Sequence, residues 1–305
     1  MDGGRVDLNE VAAGLAQVFP DLEAITPLTP LGAGFRSAVV ETAGGAVFRI
    51  GRNGDALAGY ARESRILPAL LPHLPVAVPA PRWFAGASDI FPFGVMGYPK
   101  VPGRSLEPRD VTGEMSLRLA TQLGRFLAAL HRVPVSEADI PRWDPQQAAA
   151  NSGEIVLPLL RDVLAPAEYA RVERWWQEFL ADRLLRMDEP SLIHGDLWYE
   201  HVLVEAATGR ITGIVDFETA AMGDPAQDLA TQRYLGADFA GQVLAAYRAA
   251  GGDAGPSLAH RVRRLWELRE FAGLEFVIRT GDSVEMADAL RKLRSGPILS
   301  PTADR

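Results

Sequence analysis

The 305-residue chain contains no cysteine. Disulfides and thiolate metal sites are thereby excluded, so any metal must rest on Asp, Glu or His. Lysine is nearly as scarce: Lys100 and Lys292 stand against 29 arginines, which leaves arginine the roles lysine often fills. No uninterrupted apolar run approaches the ~18 residues of a membrane span. The opening MDGGRVDLNE has neither a basic nor an apolar leader region, so a cytoplasmic protein with no membrane partner is expected. The P-loop pattern G-x-x-x-x-G-K-[ST] is absent, and G-x-G-x-x-G fails because position 37 is Ser. H-E-x-x-H is absent too, and His194 and His201 are seven apart, which sets a zinc hydrolase aside. Excess positive charge is also missing: a net charge of −8 disfavours nucleic acid and suits solubility or a cationic small molecule. What is present, 48% hydrophobic and 23% charged residues, is ordinary for a globular protein with one large or two modest cores.

The chain is organised around Ser191 to Ala230. Leu192-Ile193 leads into His194-Gly195-Asp196, and the β-prone run Val202-Leu203-Val204 follows. Thr208-Gly209 marks a turn before Ile211 to Val215, and Asp216-Phe217-Glu218 comes at once. Two such runs with a Gly-containing connection read as a hairpin. A register centred on the turn sets His201 opposite Asp216 at the open end, with Asp196 on the loop that feeds it. Such a trio suits phosphoryl transfer, in which a carboxylate orients a hydroxyl and takes its proton while a divalent metal screens the phosphates. The kinase catalytic loop reads H-R-D-x-x-x-x-N, with D-F-G further on. Here Asp196 and His201 have four residues between them, so His201 fills the asparagine slot, and Asp216-Phe217 begins twenty residues after Asp196.

On these residues the chain resembles the aminoglycoside phosphotransferase family, a branch of the protein-kinase-like fold. His201 in place of asparagine is most similar to the 2''-aminoglycoside and macrolide phosphotransferases. The resemblance implies an α+β, two-lobed fold with a small β-rich N-lobe and a larger, mainly helical C-lobe. It divides the chain into a nucleotide-binding lobe at 1–94, a hinge at 95–103 and a helical lobe at 104–305. It implies a cytoplasmic small-molecule O-phosphotransferase of the antibiotic-resistance kind, using ATP or GTP with Mg²⁺. Asp196 would be the catalytic carboxylate, and His201 and Asp216 the metal ligands.

The rest of the chain falls into that order. Asp7 to Glu10 has capping-box spacing before Val11, Leu15 and Val18, which predicts a first helix ending before Pro20. Gly32 and Gly34 run into a strand through Ser37, and Ala46 to Ile50 reads as its partner. Taken alone this is a hairpin with turn glycines; by resemblance Gly32, Gly34 and Ser37 lie over the phosphates. A helix from Ala56 to Leu71 puts Tyr60, Glu63, Leu67 and Leu70 on one face, where a carboxylate needs a partner. Arg49 on the preceding strand is the natural one, and by resemblance the pair replaces the kinase Lys–Glu pair that steadies the phosphates. Residues 72–94 suit extended segments and turns. In the hinge that follows, Met96 and Tyr98 are implied to hold the base, with adenine and guanine both open.

Leu119, Leu123, Phe126, Leu127 and Leu130 predict a helix over 114–131, closed by a structural His131 favouring the helix dipole. Residues 166–186 predict another, with Val172, Trp176, Phe179 and Leu180 on one side. Asp224-Pro225-Ala226-Gln227 reads as N-cap, N1 proline and capping-box glutamine. By resemblance, Asp228 in that helix braces the catalytic loop. Two or three helices are expected over 241–295, and Glu267, Glu270 and Glu275 are expected close to one helical face. Those acids, with Trp198 and Tyr199, are the candidate contacts for a cationic acceptor, an aminoglycoside before a macrolide or a small metabolite. A nucleotide-binding scaffold without activity is the reading from a different class, weakened by the presence of both Asp196 and Asp216.

Overall fold

The computed structural model describes residues 7–34, 36–134, 140–187, 189–253, 255–281 and 283–300. Phe35, inside the glycine-rich loop, is therefore outside the described residues. Helix α1 is Leu8–Val18, and the Asp7 carboxylate caps it by accepting from the amides of Asn9 and Glu10. Five antiparallel strands follow in the spatial order β1-β2-β3-β5-β4: β1 (Thr29–Ala33), β2 (Ser37–Glu41), β3 (Ala46–Gly51), β4 (Trp83–Ala85) and β5 (Val95–Pro99). Helix α2 (Gly54–Leu70) crosses between β3 and β4.

The period-2 alternation of β3 explains how this sheet is covered on both sides. Phe48 and Ile50 pack with Val11 and Leu15 of α1. Val47 packs on the other face with Ala56 and Tyr60 of α2. Arg49 shares the Val47 face by the same alternation and so looks at α2. Strand β5 pairs with both β3 and β4, so Val95–Pro99 is a full member of the sheet. The first half of the stretch at 95–103 is thus the short strand expected there, and residues 100–103 lead from it to a further short strand at Arg104–Ser105.

The larger lobe has β6 (Arg104–Ser105) paired with the hairpin β8 (Val202–Glu205) and β9 (Arg210–Ile214), and β7 (Ser191–Ile193) paired with β10 (Ala221–Gly223). Its helices are α3 (Gly113–Leu130), α4 (Pro145–Val163), α5 (Pro166–Ala181), α6 (Ala226–Ala230), α7 (Ala237–Ala249), α8 (Leu258–Arg269), α9 (Ala272–Thr280) and α10 (Ser283–Ser295). One core runs from Leu123 and Phe126 of α3 through Val172 and Phe179 of α5 to Leu265 and Phe271. Among the described residues no helix is long and apolar enough to cross a membrane.

Four expectations change. Among the described residues the 241–295 region holds four helices where two or three were expected, and the stretch carrying Glu267, Glu270 and Glu275 is broken between Arg269 and Ala272. Leu180 lies 41% exposed and leaves the buried side of α5 to Trp175, whose indole reaches a buried acid. The Gln227 side chain donates to the Gly195 carbonyl at 3.3 Å instead of closing a capping box. Helix α4 was not anticipated, although Asp144 caps it through the Gln147 amide and Pro145 opens it.

Candidate active site

The catalytic loop leaves β7 at Ile193 and is pinned from beneath. The buried Asp228 of α6 accepts the His194 amide on Oδ2 at 2.8 Å and the Gly195 amide on Oδ1 at 2.9 Å. Its Oδ2 also meets His131 Nε2 at 3.0 Å, and His131 Nδ1 meets the Tyr247 hydroxyl at 3.1 Å. That hydroxyl accepts the Asp253 amide at 3.1 Å, so its proton is directed at Nδ1 and leaves Nε2–H for Asp228. His131 therefore closes α3 as expected, but its imidazole holds Asp228 rather than serving the helix dipole. Burial raises the Asp228 carboxyl; the bond from His131, the imidazoles beside it and the His194 amide outweigh that and hold it below the usual range.

Gly195 has φ +85, and a Cβ there would lie 2.5 Å from the Thr219 carbonyl, so only glycine passes. The neighbouring carbonyls are held too: Thr219 Oγ1 donates to His194 O at 3.0 Å and Gln232 Nε2 to Leu197 O at 2.8 Å. The result is a rigid strand-to-loop corner that delivers Asp196. The Asp196 side chain is 39% exposed, open to an incoming hydroxyl. His194 itself is buried and faces away: Nε2–H donates to Val215 O at 3.0 Å, and burial lowers its pKa.

His201 and Asp216 do converge, with Nε2 and Oδ2 3.5 Å apart. The register differs from the expected one: Val215 donates to the His201 carbonyl at 3.0 Å, so His201 faces Val215. The turn pairs Glu205 with Arg210, two residues off the expected register, and a bulge at Leu203/Val204 that leaves Thr212 as an extra residue recovers one of the two. Asp216 compensates by adopting a left-handed conformation, φ 70 and ψ 61, which turns its carboxylate back toward His201. Such a non-glycine conformation costs about 1–3 kcal/mol and persists where the surroundings dictate it.

The two residues fit a magnesium ion. His201 Nδ1–H donates to Asp196 O at 2.8 Å, which leaves Nε2 as the acceptor nitrogen on the Asp216 side; it accepts from the Trp198 indole N–H at 3.3 Å, a bond that a cation held there would replace. Asp216 Oδ1 is buried; Arg49 Nη2 lies 3.1 Å from it, yet without the alignment of a hydrogen bond. We read this as charge contact alone, which leaves a lone pair for a cation. Burial pushes the Asp216 carboxyl up, and the Arg49 guanidinium outweighs it to hold the group below the usual range. No group of three or more His, Asp or Glu able to hold a metal occurs among the described residues, so an ion held by His201 and Asp216 would draw its other oxygens from water and phosphate.

Above this floor sits the expected pair: Arg49 Nη1 donates to both oxygens of Glu63, at 3.1 and 3.2 Å. Arg49 and Glu63 are 5% and 1% exposed, so neither reaches past the other to solvent. Gly32 and Gly34 border open space, since a Cβ on Gly32 meets nothing within 4 Å and one on Gly34 meets only Ser37 O at 4.0 Å. Ser37 is different. Its hydroxyl lies inside the lobe, 2.6 Å from the Tyr60 hydroxyl, and does not face the loop's open side. Met96 and Tyr98 likewise have buried side chains, in the cluster around Tyr60, which leaves backbone atoms for any contact with a base.

The acids expected for an acceptor separate. Glu267 is buried and accepts from Trp175 Nε1 at 2.8 Å and Arg264 Nη1 at 2.6 Å, so it is an internal counter-ion. Glu275 lies on α9, beyond the break, while Glu270 ends α8 and lines a cavity of about 480 Å³ with Tyr234, Trp266, Arg269, Glu285 and Asp288. Trp198 reaches that side by its ring contact with Tyr234, 6.1 Å between centroids, and Tyr199 packs on Trp198 at 5.0 Å. Sequence reasoning missed Arg269, whose Nη2 lies 3.2 Å from Asp196 Oδ1, and Glu218, whose carboxylate meets Arg36 and Arg49. Arg269 offers no local signal, being 73 residues from its partner. Glu218, two residues after Asp216, could have been flagged as a further acid within reach of Arg49.

This arrangement has known counterparts. Residues 27–266 match the Phosphotransferase enzyme family. Viomycin phosphotransferase of Streptomyces vinaceus is 30% identical over 253 residues, covering 79% of this chain and 83% of its own. The aminoglycoside phosphotransferase APH(2'')-IIIa, solved with GDP and kanamycin, superposes with a TM-score of 0.84 at 25% identity, covering 94% of this chain and 98% of its own. The macrolide 2'-phosphotransferase MphH from Brachybacterium faecium gives 0.70 at 28% identity over 96% of this chain and 99% of its own. With its site geometry and a family match over most of its length, the chain belongs to the Phosphotransferase enzyme family and is a small-molecule phosphotransferase of two-lobed, kinase-like fold.

Proposed function

We propose that the protein moves the γ-phosphoryl group of ATP or GTP onto a hydroxyl of a cationic antibiotic, in the cytoplasm. The observation that carries this is the position of the cavity under α8 to α10: Arg269 lines it and also touches Asp196. An acceptor seated there presents a hydroxyl to the carboxylate. Asp196 would orient that hydroxyl and receive its proton as the oxygen attacks phosphorus, and β7, Gly195 and Asp228 fix its direction. His201 Nε2 and Asp216 would hold Mg²⁺, which when bound screens the phosphate charge. Arg49 would bind phosphate oxygens, kept in place by Glu63.

The cavity wall supports a cationic acceptor with some apolar surface. Glu270, Glu285 and Asp288 line it against Arg269 and Lys292, the latter paired with Asp288 at 2.6 Å, so acids outnumber bases by one; the rings of Tyr234 and Trp266 line it too, packed edge to face at 5.0 Å between centroids. Phosphate transfer from ATP and GTP to viomycin, kanamycin, gentamicin and erythromycin tests the reading. Transfer to at least one of the first three is expected. Transfer to erythromycin alone would move the acceptor to the macrolides. Robust transfer only to a sugar or choline would overturn the antibiotic and keep the kinase chemistry.

The metal assignment has its own test. Asp216→Ala should abolish the Mg²⁺ dependence of nucleotide binding and weaken it by at least about tenfold. His201→Asn should stay within about tenfold of wild type, because asparagine supplies the oxygen that magnesium prefers. Calorimetric titration with and without Mg²⁺ reads both. A harmless Asp216→Ala beside a dead His201→Asn would reverse the roles.

A further inference from the structure

Glu218 occupies an unusual position. Its two carboxylate oxygens are divided between two guanidinium groups: Oε1 lies 2.9 Å from Arg36 Nη1 and Oε2 lies 2.5 Å from Arg49 Nη2. Its main-chain carbonyl accepts from Arg62 of α2. The side chain is 11% exposed, and it reaches this place because Gly59 of α2 has no Cβ; one built there would sit 3.0 Å from Glu218 Cβ. Arg36 belongs to the glycine-rich loop and Arg49 to the floor beneath it. One carboxylate therefore ties the loop to the residues beside Asp216.

Two oxygens of one anion shared by two guanidinium groups is the arrangement in which arginines hold a phosphate. Arg62 feels the neighbouring cation: its pKa is lowered, first by burial and then by the charge of Arg36, while Glu218 acts against both. Glu218 relieves that repulsion in the protein without nucleotide. A triphosphate that reaches Arg49 must take at least the Nη2 that Glu218 now holds, since Nη1 is committed to Glu63. A carboxylate left among phosphates is repelled by them, so binding is an exchange of one anion for another.

We propose that Glu218 is a built-in stand-in for phosphate, that Arg36 joins Arg49 as a phosphate-binding cation, and that triphosphate binds by displacing the Glu218 carboxylate from both. The inference rests on the nucleotide-site reading above. It has two consequences. Affinity for triphosphate is lower than the arginines alone would give, because the competent arrangement must first be freed. The glycine-rich loop is held down before nucleotide arrives and is handed from Glu218 to phosphate as it binds.

The test measures binding, without acceptor and in EDTA, so that no metal contributes. Wild type, Glu218→Gln, Arg36→Ala and the double variant are titrated with ATP, GTP, inorganic tripolyphosphate and the two nucleosides. Glu218→Gln is expected to tighten triphosphate and tripolyphosphate by about tenfold, with nucleoside affinity unchanged. Arg36→Ala is expected to weaken the same ligands by about tenfold, and the gain from Glu218→Gln should shrink in its background. Amide hydrogen exchange of residues 32–37 supplies a second readout. Exchange should rise in ligand-free Glu218→Gln and return to the wild-type level with triphosphate. Weaker or unchanged triphosphate binding by a folded Glu218→Gln overturns the proposal, as does a full gain in the double variant. If wild type binds neither nucleosides nor triphosphates while its tripolyphosphate response follows the pattern above, the nucleotide reading fails and the anion exchange stands.

Discussion

Asp196→Asn is expected to lower turnover by about two to four orders of magnitude, the range for loss of a positioned base. Nucleotide affinity should stay close to wild type, since Asp196 lies outside the set of phosphate and metal contacts around Arg49 and Asp216. The substitution is nearly isosteric, and the loop that carries it is held by Asp228, Thr219, Gln227 and Gln232 rather than by the Asp196 side chain. The expected change is therefore confined to proton transfer, the aim of the hydroxyl and the contact with Arg269. Steady-state kinetics with the acceptor found by the panel, beside calorimetry with a non-hydrolysable nucleotide, separates these effects. Turnover within threefold of wild type, roughly 0.6 kcal/mol, would remove Asp196 from the reaction.

The convergence of Asp196, His201 and Asp216 was legible because its signals are local. His194-Gly195-Asp196, His201 and Asp216 lie on one hairpin and its approach, so short-range spacing sufficed to bring them together, even with the register off by one. The tighter turn pairing of Glu205 with Arg210 and the bulge at Leu203/Val204 were invisible because nothing in the composition of those strands marks either, and Asp216 absorbed the remaining difference through its own backbone. The Arg49–Glu63 pair was legible for a different reason. A carboxylate on the apolar face of a helix requires a cation, and strand alternation offered one.

What failed depended on tertiary partners. Glu267 looked like a surface acid, but α5 packs over α8 and brings Trp175 onto it, with Arg264 from its own helix beside it. Ser37 looked like a phosphate donor, yet its place on β2 points it at Tyr60. Charge alone cannot tell an acceptor contact from a counter-ion. The acids that do line the cavity, Glu270, Glu285 and Asp288, come from two separate helical segments, which no single periodicity joins.

Asp228→Ala is expected to be the most damaging single change to stability. It strips two buried backbone amides and a buried imidazole of their common acceptor. Breaking a buried charged contact in this way costs about 3–5 kcal/mol, and for a lobe of this size each kcal/mol lowers Tm by about 2–4 °C. A fall of roughly ten degrees is therefore expected, with activity lost in step because the same amides aim Asp196. Asp228→Asn keeps one acceptor oxygen and should cost about 1–3 kcal/mol. The pH dependence has a definite sign. The folded-state pKa of Asp228 lies below its unfolded value, so its contribution is fully present above about pH 4 and is lost as pH falls through the folded value. Thermal melts from pH 7 down to pH 3 should show wild type losing stability faster than Asp228→Asn, so that the two curves draw together in acid. Parallel curves, or an Asp228→Ala protein that melts with wild type, would mean that the catalytic loop is held by other contacts.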